Sequence, residues 1–149
     1  MILRPSTWGP FFWMTIHIIA LGYPNEPTYT EKKAARDFFE GLGHLLPCPT
    51  CRDHYRQHIQ SLPIGPHLDS RADLFKWTLD LHNAVNKSLN KPTWTEAEII
   101  AYLERLGKLE RSPIVTEVDL SEKDARSMVF GIGIGAAAIG AAWFASKYI

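Results

Sequence analysis

The chain has 149 residues, of which 46% are hydrophobic and 21% are charged, so its composition is globular and excludes wholesale disorder. Lysine plus arginine number 16, as do aspartate plus glutamate, and this neutral balance argues against nucleic-acid binding, which depends on a basic surface. Two cysteines are too few for a disulfide framework.

Two helices are predicted before the first cysteine. The first runs from about Thr7 to Leu21, with Ser6 or Thr7 as its N-cap. It is apolar on nearly all sides, which predicts deep burial. The second begins near Thr30, has one apolar and one charged face, and ends before Pro47.

Three more helices are predicted after the cysteines. One begins at Pro49 and continues to about Gln60. A longer one, capped by Ser70, runs to about Asn90. A short one opens with a capping box of Thr95 and Glu98 and runs through Leu106. Because no segment shows sustained period-2 alternation, the sequence predicts an all-α helical domain over residues 1–106.

An uncharged segment follows a polar linker, predicted at residues 107–127. Met128 to Ala145 contains 18 residues without a charge, and a helix of that length spans about 27 Å, close to the hydrocarbon core of a bilayer. We therefore predict a transmembrane tail anchor at residues 128–146, against the alternative of a buried Gly/Ala-rich helix. Two basic residues before the span and one after it favour a cytoplasmic domain.

The sequence Cys48-Pro49-Thr50-Cys51 stands at a predicted helix start. The partial positive charge of a helix N-terminus stabilises a thiolate, which is the species that attacks a disulfide. Three interpretations remain open on spacing alone: structural cysteines, a zinc site completed by His54 and His58, and a redox dithiol coupled to a cofactor.

Aromatic and polar residues share helix faces elsewhere in the chain. Trp13 and His17 lie one turn apart, as do His82 and Asn86. Planar side chains beside a few oriented polar groups favour a heteroaromatic ligand. The further residues of this kind are Tyr23, Trp77, Asn83 and Trp94.

A series of motifs in one order resembles the Erv/ALR family of FAD-linked sulfhydryl oxidases, and most closely the short members encoded by large DNA viruses. The similarity covers about Trp8 to Trp94. It rests on Gly9-Pro10-Phe11-Phe12-Trp13-x3-His17, Tyr23-Pro24, Cys48-Pro49-Thr50-Cys51 and Trp77-x4-His82-Asn83-x-Val85-Asn86-Lys87-x-Leu89-x-Lys91-Pro92.

The resemblance implies a four-helix bundle with a short fifth helix that binds FAD, usually as a homodimer. Cys51 would lie against the flavin and pass electrons to it as a thiolate, and Cys48 would exchange with the substrate thiols. No metal is expected. The implied FAD-binding residues are Gly9, Trp13, His17, Tyr23, Cys51, Trp77, His82, Asn83, Val85, Asn86, Lys87, Lys91 and Trp94.

The sequence departs from the family pattern at two points, and the second affects the expected partners. Pro10 stands where many members have arginine, and the chain has no second cysteine pair to act as a shuttle. Electrons would then come directly from a thiol-containing client or from a thioredoxin-like relay protein, and would pass to molecular oxygen to give hydrogen peroxide. The anchor would hold the enzyme in a host or virion membrane.

An alternative from a different class is a membrane-anchored helical adaptor with structural or zinc-binding cysteines and no redox activity. A dithiol carrier without flavin is a third possibility.

Overall fold

A computed structural model describes residues 4–109, and every regular element within that range is helical. Five α-helices follow one another, with a short 3₁₀ turn at Gly65–His67 between the third and the fourth. Their bounds are α1 Pro5–Leu21, α2 Tyr29–Leu45, α3 Pro49–Ser61, α4 Arg71–Ser88 and α5 Glu96–Gly107. The prediction of an all-α domain is confirmed for these residues.

The four longer helices form the bundle: α1 packs on α4, α2 on α3, and α3 on α4. The chain divides into two units between Ile100 and Ala101, inside α5. The bundle and the sites described below belong to the first unit. Residues 101–109 complete α5 and its C-terminal turn.

None of the helices within residues 4–109 is long and apolar enough to cross a membrane. The predicted span at 128–146 and the linker beyond residue 109 lie outside the described residues. The anchor therefore stays a prediction from the sequence.

The start of α1 differs from the predicted one. The helix begins at Pro5, and Arg4 precedes it without a capping side chain, so the prediction of Ser6 or Thr7 as N-cap is wrong. Proline suits the first helical position because its missing N–H would have no intrahelical partner there. The Arg4 carbonyl instead accepts a backbone hydrogen bond from Thr7 at 2.9 Å.

The predicted burial of α1 on nearly all sides is also wrong. Phe11, Ile18 and Leu21 are 46%, 55% and 40% exposed. Only one face of α1 is covered, where Ile16 and Ala20 are buried. The reason is that α1 packs mainly on a single neighbour, α4.

The start of α2 is fixed by a capping box. The Thr28 hydroxyl accepts from the Glu31 N–H at 3.3 Å, and the Glu31 carboxylate accepts from the Thr28 N–H at 2.7 Å. Each side chain satisfies a backbone donor that the helix leaves unpaired. The helix therefore begins at Tyr29, one residue before the predicted position.

Close packing between α2 and α3 positions the cysteine segment. A Cβ added to Gly43 would lie 2.9 Å from Cγ of Arg56, so a side chain larger than hydrogen would push the Arg56 stem away. The Arg56 guanidinium donates to the Gly43 carbonyl at 2.7 Å, and the Tyr55 hydroxyl donates to the Phe39 carbonyl at 2.8 Å. These bonds join the last turns of α2 to the middle of α3.

The end of α4 turns the chain back toward the helix. Asn90 has φ of 53°, in the left-handed region that asparagine tolerates. The Asn90 N–H donates to the Lys87 carbonyl at 3.1 Å and the Lys91 N–H to the Asn86 carbonyl at 2.8 Å, which is a Schellman motif. The helix therefore ends at Ser88, two residues earlier than predicted.

Candidate functional site

The two cysteines meet at the first turn of α3. Cys48 is the N-cap residue, and its Sγ accepts a hydrogen bond from the Cys51 backbone N–H at 3.3 Å. Pro49 occupies the first helical position, as predicted. Both cysteines are half-buried, and their sulfurs are not bonded to each other in this structure.

The two thiols have opposite pKa shifts. Hydrogen bonds from the Cys51 side chain and backbone lower the pKa of Cys48. Burial, followed by the hydrogen bond to Cys48 and the charge of Cys48, raises the pKa of Cys51 to about 11. In this pair Cys48 therefore loses its proton more easily than Cys51, and the Cys51 thiol is hydrogen-bonded to Cys48. Burial thus opposes ionisation of Cys51, and its expected role as the thiolate that faces the flavin stays a prediction.

A zinc site is not assembled around these cysteines. Among the described residues, no group of three or more histidine, cysteine, aspartate or glutamate side chains is placed to hold a metal ion. His54 is exposed and His58 is half-buried on α3. The zinc alternative thus finds no support in residues 4–109.

A second cluster joins α1 to α4. The rings of Trp13 and His82 are stacked, with centroids 4.1 Å apart and planes 7° from parallel. His17 Nε2 lies 3.1 Å from His82 Nδ1. His17 is buried, whereas Trp13 and His82 are half-buried, so the stacked pair forms a flat wall at the edge of the bundle.

Thr78 closes this cluster on its buried side. His17 Nδ1 lies 3.0 Å from the Thr78 hydroxyl oxygen, and that hydroxyl donates to the Phe75 carbonyl at 2.7 Å. Burial, and then the neighbouring His82, lower the pKa of His17 to about 4. Burial, and then the charge of Lys91, lower the pKa of His82 to about 4. Both imidazoles are therefore neutral at pH 7.

Two asparagines of α4 hold the segment that returns along the helix. The Asn83 amide donates to the Trp94 carbonyl and accepts from the Trp94 N–H, both at 2.8 Å. The Asn86 amide donates to the Pro92 carbonyl at 3.1 Å. These side chains use their amide groups on the backbone, so the observed role of both is to position residues 92–94.

The remaining aromatic candidates are placed in two different ways. The buried Tyr23 hydroxyl donates to the Leu68 carbonyl at 3.0 Å. Trp77 lies in the core, 1% exposed, with its indole N–H donating to the Leu62 carbonyl at 2.9 Å. Both polar groups are thus satisfied by backbone. Val85 and Trp94 are half-buried.

Several groups near these clusters suit the anionic, aromatic cofactor that the resemblance implies. Lys87 and Lys91 are exposed, and neither forms an ion pair within residues 4–109. The indole N–H of buried Trp8 finds no acceptor among the described residues. A Cβ at Gly9 would meet nothing within 4 Å, so the adjacent surface is open. The residues present therefore fit FAD, with a stacking wall, free cations and an unused donor.

A cavity of about 400 Å³ lies elsewhere, between α2, α3 and the segment after α3. Neither cysteine lines it, nor does the Trp13–His82 pair. Its polar lining consists of Arg36, Glu40, His44, Arg56 and Gln60, and its apolar lining includes Phe39 and Trp77.

Two side chains near the clusters are not among the candidates named from the sequence. Thr78 is one of them, and its place one turn before His82 on the same helix face is the signal that indicates a polar partner. Arg52 follows Cys51, and its charge helps to lower the pKa of Cys48. The buried Nε of Arg52 has no hydrogen-bond partner within the described range.

The chain matches known proteins over the region that contains both clusters. The model of the Erv1/Alr family matches residues 10–104. A probable FAD-linked sulfhydryl oxidase of Acanthamoeba polyphaga mimivirus is 38% identical over 104 residues, covering 69% of this chain and 73% of the relative. A putative FAD-linked sulfhydryl oxidase of Invertebrate iridescent virus 3 is 36% identical over 92 residues and 62% of each chain.

Solved structures give the same result for the fold. The crystal structure of the FAD binding domain of Erv1 from Saccharomyces cerevisiae superposes with a TM-score of 0.59 at 30% identity, covering 62% of this chain and 87% of that one. The chain spans less than two thirds of the length of the iridescent-virus relative. The family match over most of the described helices, together with the Cys48–Cys51 pair at a helix start, shows that this chain belongs to the Erv1/Alr family.

Proposed function

We propose that this chain is an FAD-dependent thiol oxidase that introduces disulfides into thiol-containing proteins. The observation that carries the proposal is the Cys48–Cys51 pair at the start of α3, where the pKa of one thiol is lowered and that of the other is raised. Unequal proton affinities suit a pair in which one sulfur exchanges with substrate and the other is held inside. The names of the viral relatives support the same activity.

The exchange begins with the oxidised pair. A substrate thiolate attacks Sγ of Cys48, the Cys48–Cys51 bond breaks, and Cys51 leaves with the electron pair of that bond. Two of the causes that raise the pKa of Cys51 come from Cys48, namely its hydrogen bond and its charge. Both are lost when Cys48 is bonded to substrate, so Cys51 departs more easily as a thiolate and then takes up a proton.

The second step releases the product. The other substrate thiol loses its proton and attacks the substrate sulfur of the mixed disulfide, and Cys48 leaves as a thiolate. A thiol of lowered pKa is the better leaving group. The substrate has then lost two electrons and two protons and holds a disulfide, while the enzyme holds the two electrons in the reduced Cys48–Cys51 pair.

The electrons then leave through Cys51. Cys51 must lose its proton to donate electrons, and Cys48, which is hydrogen-bonded to it, is the neighbouring group that would take that proton. FAD, when bound, would supply the two-electron acceptor for Cys51 and the reactivity with molecular oxygen that gives hydrogen peroxide. The cofactor site would use the Trp13–His82 wall, Gly9, His17 and Val85, with Tyr23, Trp77 and Trp94 supporting it.

Positive charge would hold the cofactor's phosphates. Lys87 and Lys91 lie at the end of α4 and beyond it, exposed and without ion pairs in the described part of the chain. Asn83 and Asn86 would act through the backbone of residues 92–94 that they hold. Lys91 lies close enough to the Trp13–His82 wall for its charge to lower the pKa of His82.

The purified full-length chain provides the test. We expect bound flavin in its absorption spectrum, thiol-dependent oxygen uptake and formation of peroxide. Cys48→Ser and Cys51→Ser should each abolish turnover, whereas Thr50→Ser, which keeps both sulfurs, should retain it. A chain that stays colourless after FAD addition and consumes no oxygen with a dithiol would contradict the proposal.

The substrates would be a client protein or a thioredoxin-like relay that reaches Cys48 directly. Cys48 and Cys51 are the only cysteines of the chain, so it carries no shuttle pair of its own. An active full-length enzyme should oxidise a small dithiol protein without an added third component. Activity seen only after a separate relay protein is supplied would assign the relay as the substrate.

We also propose a homodimer through the uncovered face of α1. Phe11, Ile18 and Leu21 are exposed and lie on the same face, at spacings of seven and three residues. An apolar stripe of this kind fits a second copy of the same helix. Ile18→Glu should convert a dimer to a monomer in sedimentation equilibrium, with Glu26→Gln in the exposed loop as control. A wild-type monomer would refute the dimer.

For location, we propose a single-pass C-terminal anchor at residues 128–146, with the enzyme domain on the cytoplasmic side of a host or virion membrane. The uncharged stretch and its flanking basic residues support this proposal. The full chain should float with liposomes and stay with membranes in carbonate at high pH. Equal behaviour of a chain that ends at residue 127 would contradict the anchor.

A further inference from the structure

The direction of the Thr78 hydrogen bond is fixed by its chemistry. The Thr78 hydroxyl oxygen lies 2.7 Å from the Phe75 carbonyl oxygen and 3.0 Å from His17 Nδ1. A carbonyl cannot donate, so the single hydroxyl hydrogen lies between Thr78 and Phe75. The contact with His17 is then a hydrogen bond only if His17 Nδ1 carries the proton.

The next contact follows from the neutrality of His17. Burial and the neighbouring His82 lower the pKa of His17 to about 4, so its ring carries one proton at pH 7. Because that proton is on Nδ1, Nε2 of His17 is an acceptor. His82 Nδ1, 3.1 Å away, must therefore be the donor.

These two hydrogen bonds leave a free lone pair on Nε2 of His82. Burial and then the charge of Lys91 keep His82 neutral, so its Nε2 carries no proton. His82 is half-buried, and its ring plane is held by the stacked Trp13. The cluster thus ends in an acceptor, His82 Nε2, at the edge of the bundle. A histidine taken alone has two possible tautomers, and the chain of hydrogen bonds selects one of them for each ring.

We propose that Thr78 is a positioning residue for the cofactor site: by accepting from His17 it fixes both imidazoles as Nδ1–H tautomers and presents His82 Nε2 as an acceptor to an N–H or O–H group of bound FAD. The inference rests on the placement of His82 in the FAD site proposed above. Its physical basis is that a buried threonine with its hydrogen committed to Phe75 can only accept.

Loss of the hydroxyl should reverse the bonds. In Thr78→Val, a variant of nearly the same shape, His17 Nδ1–H would be buried without an acceptor, which is costly. His17 would move its proton to Nε2 and donate to His82, and the Nε2 of His82 would become a donor. A donor there opposes an N–H or O–H group of the cofactor.

The experiment records long-range ¹H–¹⁵N NMR correlations of the imidazoles in the full chain, labelled with ¹⁵N-histidine, together with FAD affinity by fluorescence. The wild type should show Nδ1–H tautomers for His17 and His82. Thr78→Val should lose them and bind FAD about tenfold more weakly, the equivalent of one hydrogen bond. Thr78→Ser should restore both properties. Thr15→Val, which removes a similar intrahelical hydroxyl bond to Phe11 on an exposed surface, should change neither.

The readouts separate the possible failures. Nε2–H tautomers in the wild type overturn the inference without reference to any variant. Unchanged tautomers or an unchanged FAD affinity in a folded Thr78→Val also overturn it. Correct tautomers in a wild-type chain that binds no FAD contradict the proposed function, and the positioning role fails with it.

Discussion

The cysteine pair and the histidine pair have different patterns of pKa shifts. In each, two titratable side chains share a hydrogen bond. At the start of α3 the pKa of Cys48 is lowered and that of Cys51 is raised. Between α1 and α4 the pKa values of His17 and His82 are both lowered, to about 4.

The difference lies in what surrounds each pair. Cys48 lies at a helix N-terminus, where backbone N–H groups stabilise negative charge, and Cys51 lies deeper. The histidine pair has aromatic rings on one side and a neutral hydroxyl on the other, so nothing stabilises a positive charge. Unequal proton affinities suit the cysteine pair for thiol–disulfide exchange. Two neutral imidazoles suit the histidine pair for directional hydrogen bonds.

The largest effect should be the unequal reactivity of the two thiols. With a pKa of about 11, Cys51 is ionised in about one molecule in ten thousand at pH 7. Iodoacetamide should therefore modify Cys48 at least about a hundredfold faster than Cys51 in the reduced protein. Mass spectrometry of tryptic peptides after short labelling times measures the ratio, and equal labelling would remove the asymmetry on which the comparison rests.

A variant sharpens the same comparison. Cys51→Ala removes the side-chain hydrogen bond that contributes most to lowering the pKa of Cys48. The pKa of Cys48 should rise toward its ordinary value, and its alkylation at pH 7 should slow. The pH dependence of labelling in the variant and in the wild type gives the two midpoints, and a lower midpoint in the variant would contradict this interpretation.

The histidine pair should make stability fall in acid. A histidine with a lowered pKa in the folded state binds its proton more readily when unfolded, so its contribution is present above pH 6.5 and is lost as the pH falls toward about 4. For buried His17 the slope is at most about 1.4 kcal/mol per pH unit. Urea unfolding between pH 4 and 7 measures it, and His17→Gln should flatten the curve. Parallel curves would exclude this origin.

A smaller loss is expected when the Asn83 amide is removed. Asn83→Ala breaks two half-buried hydrogen bonds to Trp94 and should cost about 1–3 kcal/mol of unfolding free energy. Asn25→Ala, in the exposed loop after α1, is the control and should cost far less. If the two variants unfold at the same urea concentration, Asn83 does not hold the return segment.

The smallest effect concerns the helix cap. Cys48→Ala removes the sulfur that accepts the Cys51 N–H and should cost about 0.5–1 kcal/mol in the reduced protein. Cys48→Ser keeps an acceptor at the N-cap and should be at least as stable as the wild type. Thermal unfolding of both variants under reducing conditions provides the measurement, and a more stable alanine variant would show that the sulfur does not cap the helix.

Local sequence signals specify the helical order and the chemistry of the first turn of α3. Apolar periodicity, Pro49 at the first helical position, Ser70 and the Thr95–Glu98 capping box are local signals, and each acts within one or two turns. The cysteine motif is recognisable from the sequence for the same reason: both sulfurs and the helix terminus that affects their pKa values lie within four residues.

The covered helix faces and the hydrogen-bond partners of the polar groups depend on how the helices pack. The exposed stripe of α1 depends on its having one main neighbour, which periodicity does not reveal. The left-handed Asn90 lets residues 92–94 return along α4, and the bonds of Asn83 and Asn86 to that backbone do not follow from helical spacing. Thr78 and His17 are 61 residues apart, so their hydrogen bond forms only when α1 and α4 pack together. Such contacts depend on distance in space rather than on spacing along a helix, which is why a single sequence does not specify them.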